Sequence, residues 1–170
     1  MNIRRIRADE GLRLRDIRLH ALADSPMAYG STLAREEAYP EALWNERAAN
    51  GAVGDKFVTF VAEHDNYLVA MATGLAPGSD HHAASPTPSP MMVGVFVDGT
   101  ARRQGVGVQL VDKIIAWARA RGWAHLLVWI TSGNAPAFAL YRRCGFRATG
   151  GTRPSAHTPD LVECELALDL

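Results

Sequence analysis

Apolar and polar residues alternate from Asn2 to Arg7, the period-two signature of a strand with one covered face. The period then lengthens. Leu14, Ile17 and Ala21 recur at helical spacing behind Asp9, which is placed to cap a helix, and Ser25-Pro26 ends it. Arg13, Arg15 and Arg18 ride on that helix and read as a solvated face. A short irregular piece, Met27 to Leu33, leads into a second helical stretch carrying Glu36, Glu37, Leu43, Trp44 and Arg47, which Pro40 breaks or restarts. Phe57 to Ala62 and Tyr67 to Leu75, with their Val, Phe and Tyr content, predict a hairpin joined through Glu63-His64-Asp65-Asn66. From Ala76 to Pro90 the pattern dissolves. Pro77, Pro86, Pro88 and Pro90 remove backbone donors among Ser, His and Gly, so a long loop is predicted, either a lid over a site or a disordered segment.

The second half of the chain is more regular. Met91 to Val97 is an apolar run, Arg102 to Gly107 a glycine-bearing turn, Val108 to Arg119 a helix and His125 to Ile130 a further strand. Gly107, Leu110, Val111, Ile114, Ile115 and Ala118 share one helix face, and Gly122 stops the helix, so the two strands should be parallel neighbours joined by a right-handed crossover. Asn134 is placed to cap another helix with Pro136 in its first turn. Gly145 suits the left-handed position after its end, and Phe146 opens the next strand. Val162, Cys164, Leu166 and Leu168 alternate with Glu163 and Glu165, predicting a last strand with its apolar side buried and its acidic side out.

With 170 residues and 48% hydrophobic content the chain is read as a single domain spanning 1–170. Lys+Arg and Asp+Glu are equal at 18 each, so no overall field draws the protein to nucleic acid or to an anionic membrane, and neither is expected as a partner. The first ten residues hold no apolar leader segment and no window reaches the length of a membrane span, which points to the cytoplasm. Cys144 and Cys164 lack zinc-type spacing and read as buried, reduced thiols. His81-His82 are adjacent, a poor geometry for one ion, so no metal is expected.

The glycine turn carries the first chemical inference. A helix start presents unpaired N–H groups and the positive end of the macrodipole, and Gly105 and Gly107 let a phosphate approach the main chain. The turn is not a P-loop, because Val108 and Gln109 stand where lysine and a hydroxyl would be needed. It is not a dinucleotide fingerprint either, since Leu110 fills the place of a third small residue.

Arg102-Arg103-Gln104-Gly105-Val106-Gly107 instead resembles the Q/R-x-x-G-x-G/A turn of the GNAT family of N-acetyltransferases. A second motif agrees. Asn134-Ala135-Pro136-Ala137-Phe138-Ala139-Leu140-Tyr141-Arg142-Arg143-Cys144-Gly145-Phe146 is similar at every fixed place to the family's N-x-x-A-x-x-x-Y-x-x-x-G-F segment. The resemblance implies an α/β (α+β) fold: a mixed, mostly antiparallel, twisted sheet of about seven strands, splayed between the fourth and fifth and flanked by about four helices. It implies acetyl-coenzyme A as cofactor, with the pyrophosphate on main-chain groups of Arg103 to Val108 and the pantetheine arm along Val95, Phe96 and Val97. It also implies direct transfer to an amine through a tetrahedral intermediate, with no covalent enzyme species, and association as a homodimer. Asn134, Ala137 and Tyr141 would lie on one helix face, the outer two about 10 Å apart along the axis. Asn134 would offer its amide, Ala137 would permit close approach, and Tyr141 would protonate the leaving thiolate.

The general base stays open. A lysine-like amine of pKa about 10.4 costs roughly 4.6 kcal/mol to deprotonate at pH 7, an α-amine near 7.7 only about 1 kcal/mol, so the base bears on the substrate. Members that acetylate ribosomal protein N-termini carry a glutamate on the fifth strand where this chain has Trp129, and Met91 to Val97 holds no carboxylate. Glu36, Glu37, Glu63, His81, His82 and His157 are candidates outside the motifs, each expected at the surface, and the segment from Asp24 to Thr32 resembles an acceptor-facing one. Two readings follow: an N-acetyltransferase acting on a small amine or a peptide amine, or a non-catalytic acyl-coenzyme A sensor or scaffold.

Overall fold

A computed structural model describes residues 1–79, 88–156, 158 and 160–170. In chain order its elements are β1 (Asn2–Arg5), α1 (Gly11–Asp24), a 3-10 turn (Pro26–Ala28), α2 (Leu33–Glu37), α3 (Glu41–Val53), β2 (Phe57–His64) and β3 (Tyr67–Leu75). There follow β4 (Met91–Val97), a 3-10 turn (Gly99–Ala101), α4 (Val106–Arg119), β5 (His125–Thr131), α5 (Ala135–Arg143), β6 (Arg147–Pro154) and β7 (Val162–Asp169). The seven strands form one sheet in the order β1-β2-β3-β4-β5-β7-β6. Every neighbouring pair is antiparallel except β4 and β5. The expected sheet is thus present. The described helices number five rather than about four, because Pro40 breaks the second helical stretch and leaves the five-residue α2 in front of α3.

Strand alternation sorts the core onto two faces. Ala70 and Ala72 of β3 face α4 with Leu110, Val111, Ile114 and Ala118, while Met71 between them joins Leu14, Ile17, Ala21 and Trp44 of α1 and α3. Two glycines allow the close approaches. A Cβ at Gly11 would meet the Asn45 main chain at 2.8 Å, and one at Gly74 would meet the Trp117 ring at the same distance. Trp117 in turn donates its indole N–H to the Gly54 carbonyl at 2.9 Å, satisfying the one polar atom of a buried ring.

Several boundaries and burials differ from the sequence reading, each for a local reason. The hairpin turn is Asp65-Asn66 alone, with φ +46° and +64°, and the strands run on to pair His64 with Tyr67. Asp and Asn tolerate that left-handed pair, which matches the strand twist. Helix α1 takes Glu10, not Asp9, at its N-cap, and the Glu10 side chain makes no cap bond to the helix. Its carboxylate accepts from both Arg4 Nη atoms at 2.7 Å and from the Arg7 N–H at 2.8 Å, and also binds Arg13. Arg4 and Arg13 reach Glu63 as well, so the network clamps β1, α1 and β2 together. Arg13 is therefore not on a solvated face, and neither is Arg18, which pairs with the buried Glu36. Helix α4 starts at Val106, two residues early, because Val106 is buried and begins the apolar stripe. In β7 Glu163 is buried while Val162 is 42% exposed, the reverse of the expected alternation.

Candidate active site

Strands β4 and β5 pair only at Met91 with Leu127 and Met92 with Val128. Two residues on, Gly94 has φ +61°, and the β3–β4 register slips between Met71 and Thr73. The bulge turns β4 away from β5 and re-aims its peptide groups. Met71 lies opposite Phe96, and the Asp98 N–H donates to the Val69 carbonyl at 2.8 Å. Phe96 therefore directs its main chain to β3, and Val95 and Val97 direct theirs into the gap. Tyr29 donates its hydroxyl to the Val95 carbonyl at 3.3 Å, and Arg102 Nε donates to the Val97 carbonyl at 2.8 Å. The Phe96 side chain is buried edge-on to His20, ring centres 5.4 Å apart.

The glycine turn closes the same end. Asp98 caps the 3-10 turn, accepting from the Thr100 N–H at 2.8 Å. Arg103 at φ +63° and Gly105 at φ +79° then reverse the chain into α4. The N-cap of α4 is Gly105, which has no side chain to cap it, and among the described residues no side chain bonds to the N–H groups of Val106, Gly107 and Val108, which stand at the positive end of the helix dipole. Side chains serve the turn itself. Arg102 binds Asp24 at 2.6 Å in addition to Val97, and Gln104 donates to the Thr100 carbonyl at 2.9 Å. Gly107 lies against α5, where a Cβ would make ordinary contact with Leu140 at 3.4 Å.

On the other wall, the Asn134 side-chain oxygen accepts the Ala137 N–H at 3.2 Å, Pro136 sits in the first turn, and Gly145 follows α5 at φ +93°. The cap uses the oxygen of Asn134 and leaves its NH2 for other partners. Asn134, Ala137 and Tyr141 all line one cavity of about 1000 Å³, as their shared helix face requires. The Tyr141 ring is buried and meets Phe146 edge-on at 5.6 Å, and its hydroxyl has no hydrogen-bond partner among the described residues. Burial pushes its pKa well above the ordinary tyrosine value, so the hydroxyl keeps its proton.

The cavity runs on beneath β4 to a cluster that the sequence reading missed. Glu36 is 3% exposed and accepts from Arg18 Nη2 at 2.8 Å, Arg18 Nε at 3.1 Å and Arg47 Nη1 at 3.3 Å. Burial alone would raise its pKa. The Arg18 hydrogen bonds and charge, with Ser31 and Arg47, outweigh burial and hold it at about 2. It is a fixed carboxylate inside the protein, not the surface residue expected and not a group that gains and loses a proton near neutrality. Tyr29, its ring 4.8 Å from the Arg18 guanidinium carbon, is pushed up to about 12, chiefly by burial.

A second charged group lies on the opposite side of the cavity. Arg153 stacks on Trp129 at 4.2 Å and binds Glu163 at 2.7 Å, and Glu165, the register partner of Trp129, accepts from Thr149 at 2.7 Å. Of the other base candidates, Glu37 is exposed and Glu63 belongs to the Arg4–Arg13 clamp, whereas His81, His82 and His157 lie outside the described residues. Among the described residues no three His, Cys, Asp or Glu side chains gather as a metal site would require, and no helix is long and apolar enough to cross a membrane. Cys144 and Cys164 are unpaired and half-buried, and burial pushes the Cys144 thiol up, away from nucleophile character.

Residues 19–146 match the family model described as the Acetyltransferase (GNAT) family, and the chain belongs to that family. Over 56 residues it is 43% identical to the L-methionine sulfoximine/L-methionine sulfone acetyltransferase of Pseudomonas aeruginosa, a stretch covering 33% of either chain. The chain thus spans about a third of the length of that curated relative. Over 123 residues, 72% of this chain and 74% of the other, it is 27% identical to the ribosomal protein bS18-alanine N-acetyltransferase of Escherichia coli. Among solved structures, the ribosomal-protein-alanine N-acetyltransferase of Brucella melitensis covers the full length of both chains with TM-score 0.75 and 25% identity. The PaiA N-acetyltransferase of Thermoplasma acidophilum in complex with coenzyme A shares the fold, with TM-score 0.75 at 11% identity over 99% of this chain and 98% of that one.

Proposed function

We propose that this protein is an acetyl-coenzyme A-dependent N-acetyltransferase that moves the acetyl group directly onto a primary amine of a small molecule or peptide. One observation carries the reading: the Asn134–Ala137–Tyr141 face lines the cavity where β4 leaves β5, and the start of α4 lies at the end of β4 beside α5, Gly107 being next to Val97 and Leu140. The acetyl thioester supplies the electrophilic carbonyl. The chain supplies the rest. N–H groups of residues 103 to 108 take the pyrophosphate, with Gly105 supplying the turn and Gly107 the clearance. The peptide groups of Val95 and Val97, not those of Phe96, are the ones turned to the pantetheine, and the Asn134 NH2 is available beside them.

As the new C–N bond forms and the C–S bond breaks, the departing sulfur takes a hydrogen bond, and then its proton, from Tyr141. A thiol pKa near 8.5 against a tyrosine raised by burial makes full transfer uphill, so the hydroxyl acts first as a donor and recovers its proton from water. The amine proton leaves to water within the cavity. Both unpaired thiols suit a reducing compartment, and we place the protein in the cytoplasm, as a homodimer. Calorimetry with coenzyme A and acetyl-coenzyme A, followed by free-thiol release on an amine panel, tests the proposal. Binding with release on at least one amine is expected. Binding without turnover on any amine would make the chain a sensor or scaffold, and absence of binding would remove both readings.

A further inference from the structure

The short turn that follows α1 bridges the splayed strands. Thr131 of β5 donates its hydroxyl to the Met27 carbonyl at 2.9 Å, and two residues on Tyr29 donates its hydroxyl to the Val95 carbonyl of β4 at 3.3 Å. The last β4–β5 pair is Met92 with Val128, so both tethers fall three residues beyond it, at one level of the opening. Tyr29 packs with the α1 and α3 residues on one face of the sheet, whereas Tyr141 belongs to the core on the α4 face. Two tyrosines therefore approach the same cavity from opposite sides. They are near enough for a charge on Tyr29 to oppose ionisation of Tyr141.

The two hydroxyls are bonded differently. That of Tyr141 has no partner among the described residues, so it meets a ligand as a donor. Tyr29 has committed its proton to Val95, and among the described residues nothing donates to its oxygen. A hydroxyl carries two lone pairs, so Tyr29 meets a ligand as an acceptor. Its half-buried side chain lines the cavity, and its ring is seated 4.8 Å from the Arg18 guanidinium carbon, which fixes its direction.

Resting on the acetyltransferase reading, we propose that the Tyr29 hydroxyl oxygen accepts an N–H of the acceptor amine and so aims the amine's lone pair at the thioester carbonyl. An attacking amine must turn its lone pair to the carbonyl carbon, which leaves its N–H groups to be held. As the C–N bond forms, positive charge develops on the nitrogen and the bond from N–H to Tyr29 strengthens, so the contact favours the transition state over the ground state. When the C–S bond breaks, the sulfur takes its proton from Tyr141 and the surplus proton on nitrogen leaves to water, while Tyr29 retains its own. The Val95 carbonyl, with two lone pairs, can hold Tyr29 and still accept an amide N–H of the pantetheine.

Tyr29→Phe removes the oxygen and keeps the ring on Arg18, so the variant should fold, which thermal melts verify. Calorimetry then gives acetyl-coenzyme A affinity, and free-thiol release at saturating acetyl-coenzyme A gives kcat/KM for the most rapidly acetylated amine of the panel. We expect kcat/KM for the amine to fall about 10- to 100-fold, with acetyl-coenzyme A affinity within about threefold of wild type. A hydroxyl that merely braced Val95 would give the reverse: weaker acetyl-coenzyme A binding through a loosened β4 edge, and unchanged kcat/KM for the amine at saturation. That result overturns the proposal, as does no change in either quantity. Wild-type turnover with an unaffected variant removes this role alone. A wild type that releases thiol with no amine removes the acetyltransferase reading and this role together.

Discussion

The stretch from Met91 to Phe146 and the stretch from Met1 to Leu75 pack against one sheet but recognise through different parts of the chain. The first works through its main chain. The pyrophosphate cradle we propose is a helix start, the proposed pantetheine edge is the peptide groups of Val95 and Val97, and the Arg102 and Gln104 side chains of its turn are occupied in holding that turn. The second works through side-chain charge. Arg4, Glu10, Arg13 and Glu63 clamp three elements, and Arg18, Glu36 and Arg47 form a buried cluster from α1, α2 and α3. Main-chain recognition needs particular residue types at fixed local spacing and so leaves a motif. Side-chain recognition drawn from separate elements leaves none.

Substitutions can break each side of that contrast separately. The largest effect is expected from Tyr141→Phe, which should lower turnover by about 10²- to 10⁴-fold while acetyl-coenzyme A affinity stays within a few fold. Steady-state thiol release and calorimetry read the two quantities, and an unchanged rate would remove Tyr141 from the chemistry. On the charged side, Glu36→Gln strands two buried guanidinium groups against a neutral amide. A stability loss of about 3–5 kcal/mol in denaturant unfolding is expected, against little change for Glu37→Gln on the exposed side of the same helix.

Smaller effects refine the comparison. Gly105→Val forces a β-branched residue to φ +79°, at about 1–3 kcal/mol, and should weaken coenzyme A binding by roughly tenfold with the fold retained. Gly107, whose missing Cβ would make only ordinary contact with Leu140, should tolerate Ala better. Acid should find the charged half first. Glu10 and Glu36 are held at about 2, each against its burial, by arginine partners. A depressed folded-state pKa contributes stability that is complete above the unfolded value near 4.3 and is lost as pH falls toward 2. The melting temperature should therefore drop between about pH 5 and pH 2, and less steeply in Glu36→Gln. A wild-type melting temperature flat across that window would contradict the assigned network. The smallest change, about 1 kcal/mol, is expected from Asn134→Ala through loss of the α5 cap, seen in thermal melts.

The same contrast explains how much could be read before folding. Strand and helix periods located nearly every element, and both motifs led to the residues that flank the gap, because Gly105 at φ +79°, Gly145 at φ +93° and the Asn134 cap are local requirements written as residue types. The errors fall where a residue's surroundings come from far along the chain. Arg18 on a polar helix face has no marker telling it from Arg15, yet one meets Glu36 across the α1–α2 packing and the other is exposed. Glu163 in a period-two strand reads as the wet side, but the cavity lies on that side and Arg153 covers the charge.

What the chain settles alone is short-range: where backbone must turn left-handed, where a helix must start uncapped, and which face of α5 carries asparagine, alanine and tyrosine together. Folding decides what lies opposite. It separates β4 from β5 beyond Met92, brings Arg18, Glu36 and Arg47 from three helices into one largely buried cluster, and leaves Arg18 Nη1 beside the Gly94 bulge. The physical reason is range, since dihedral preferences act within a few residues, whereas the burial of a charge depends on every element that excludes water from it.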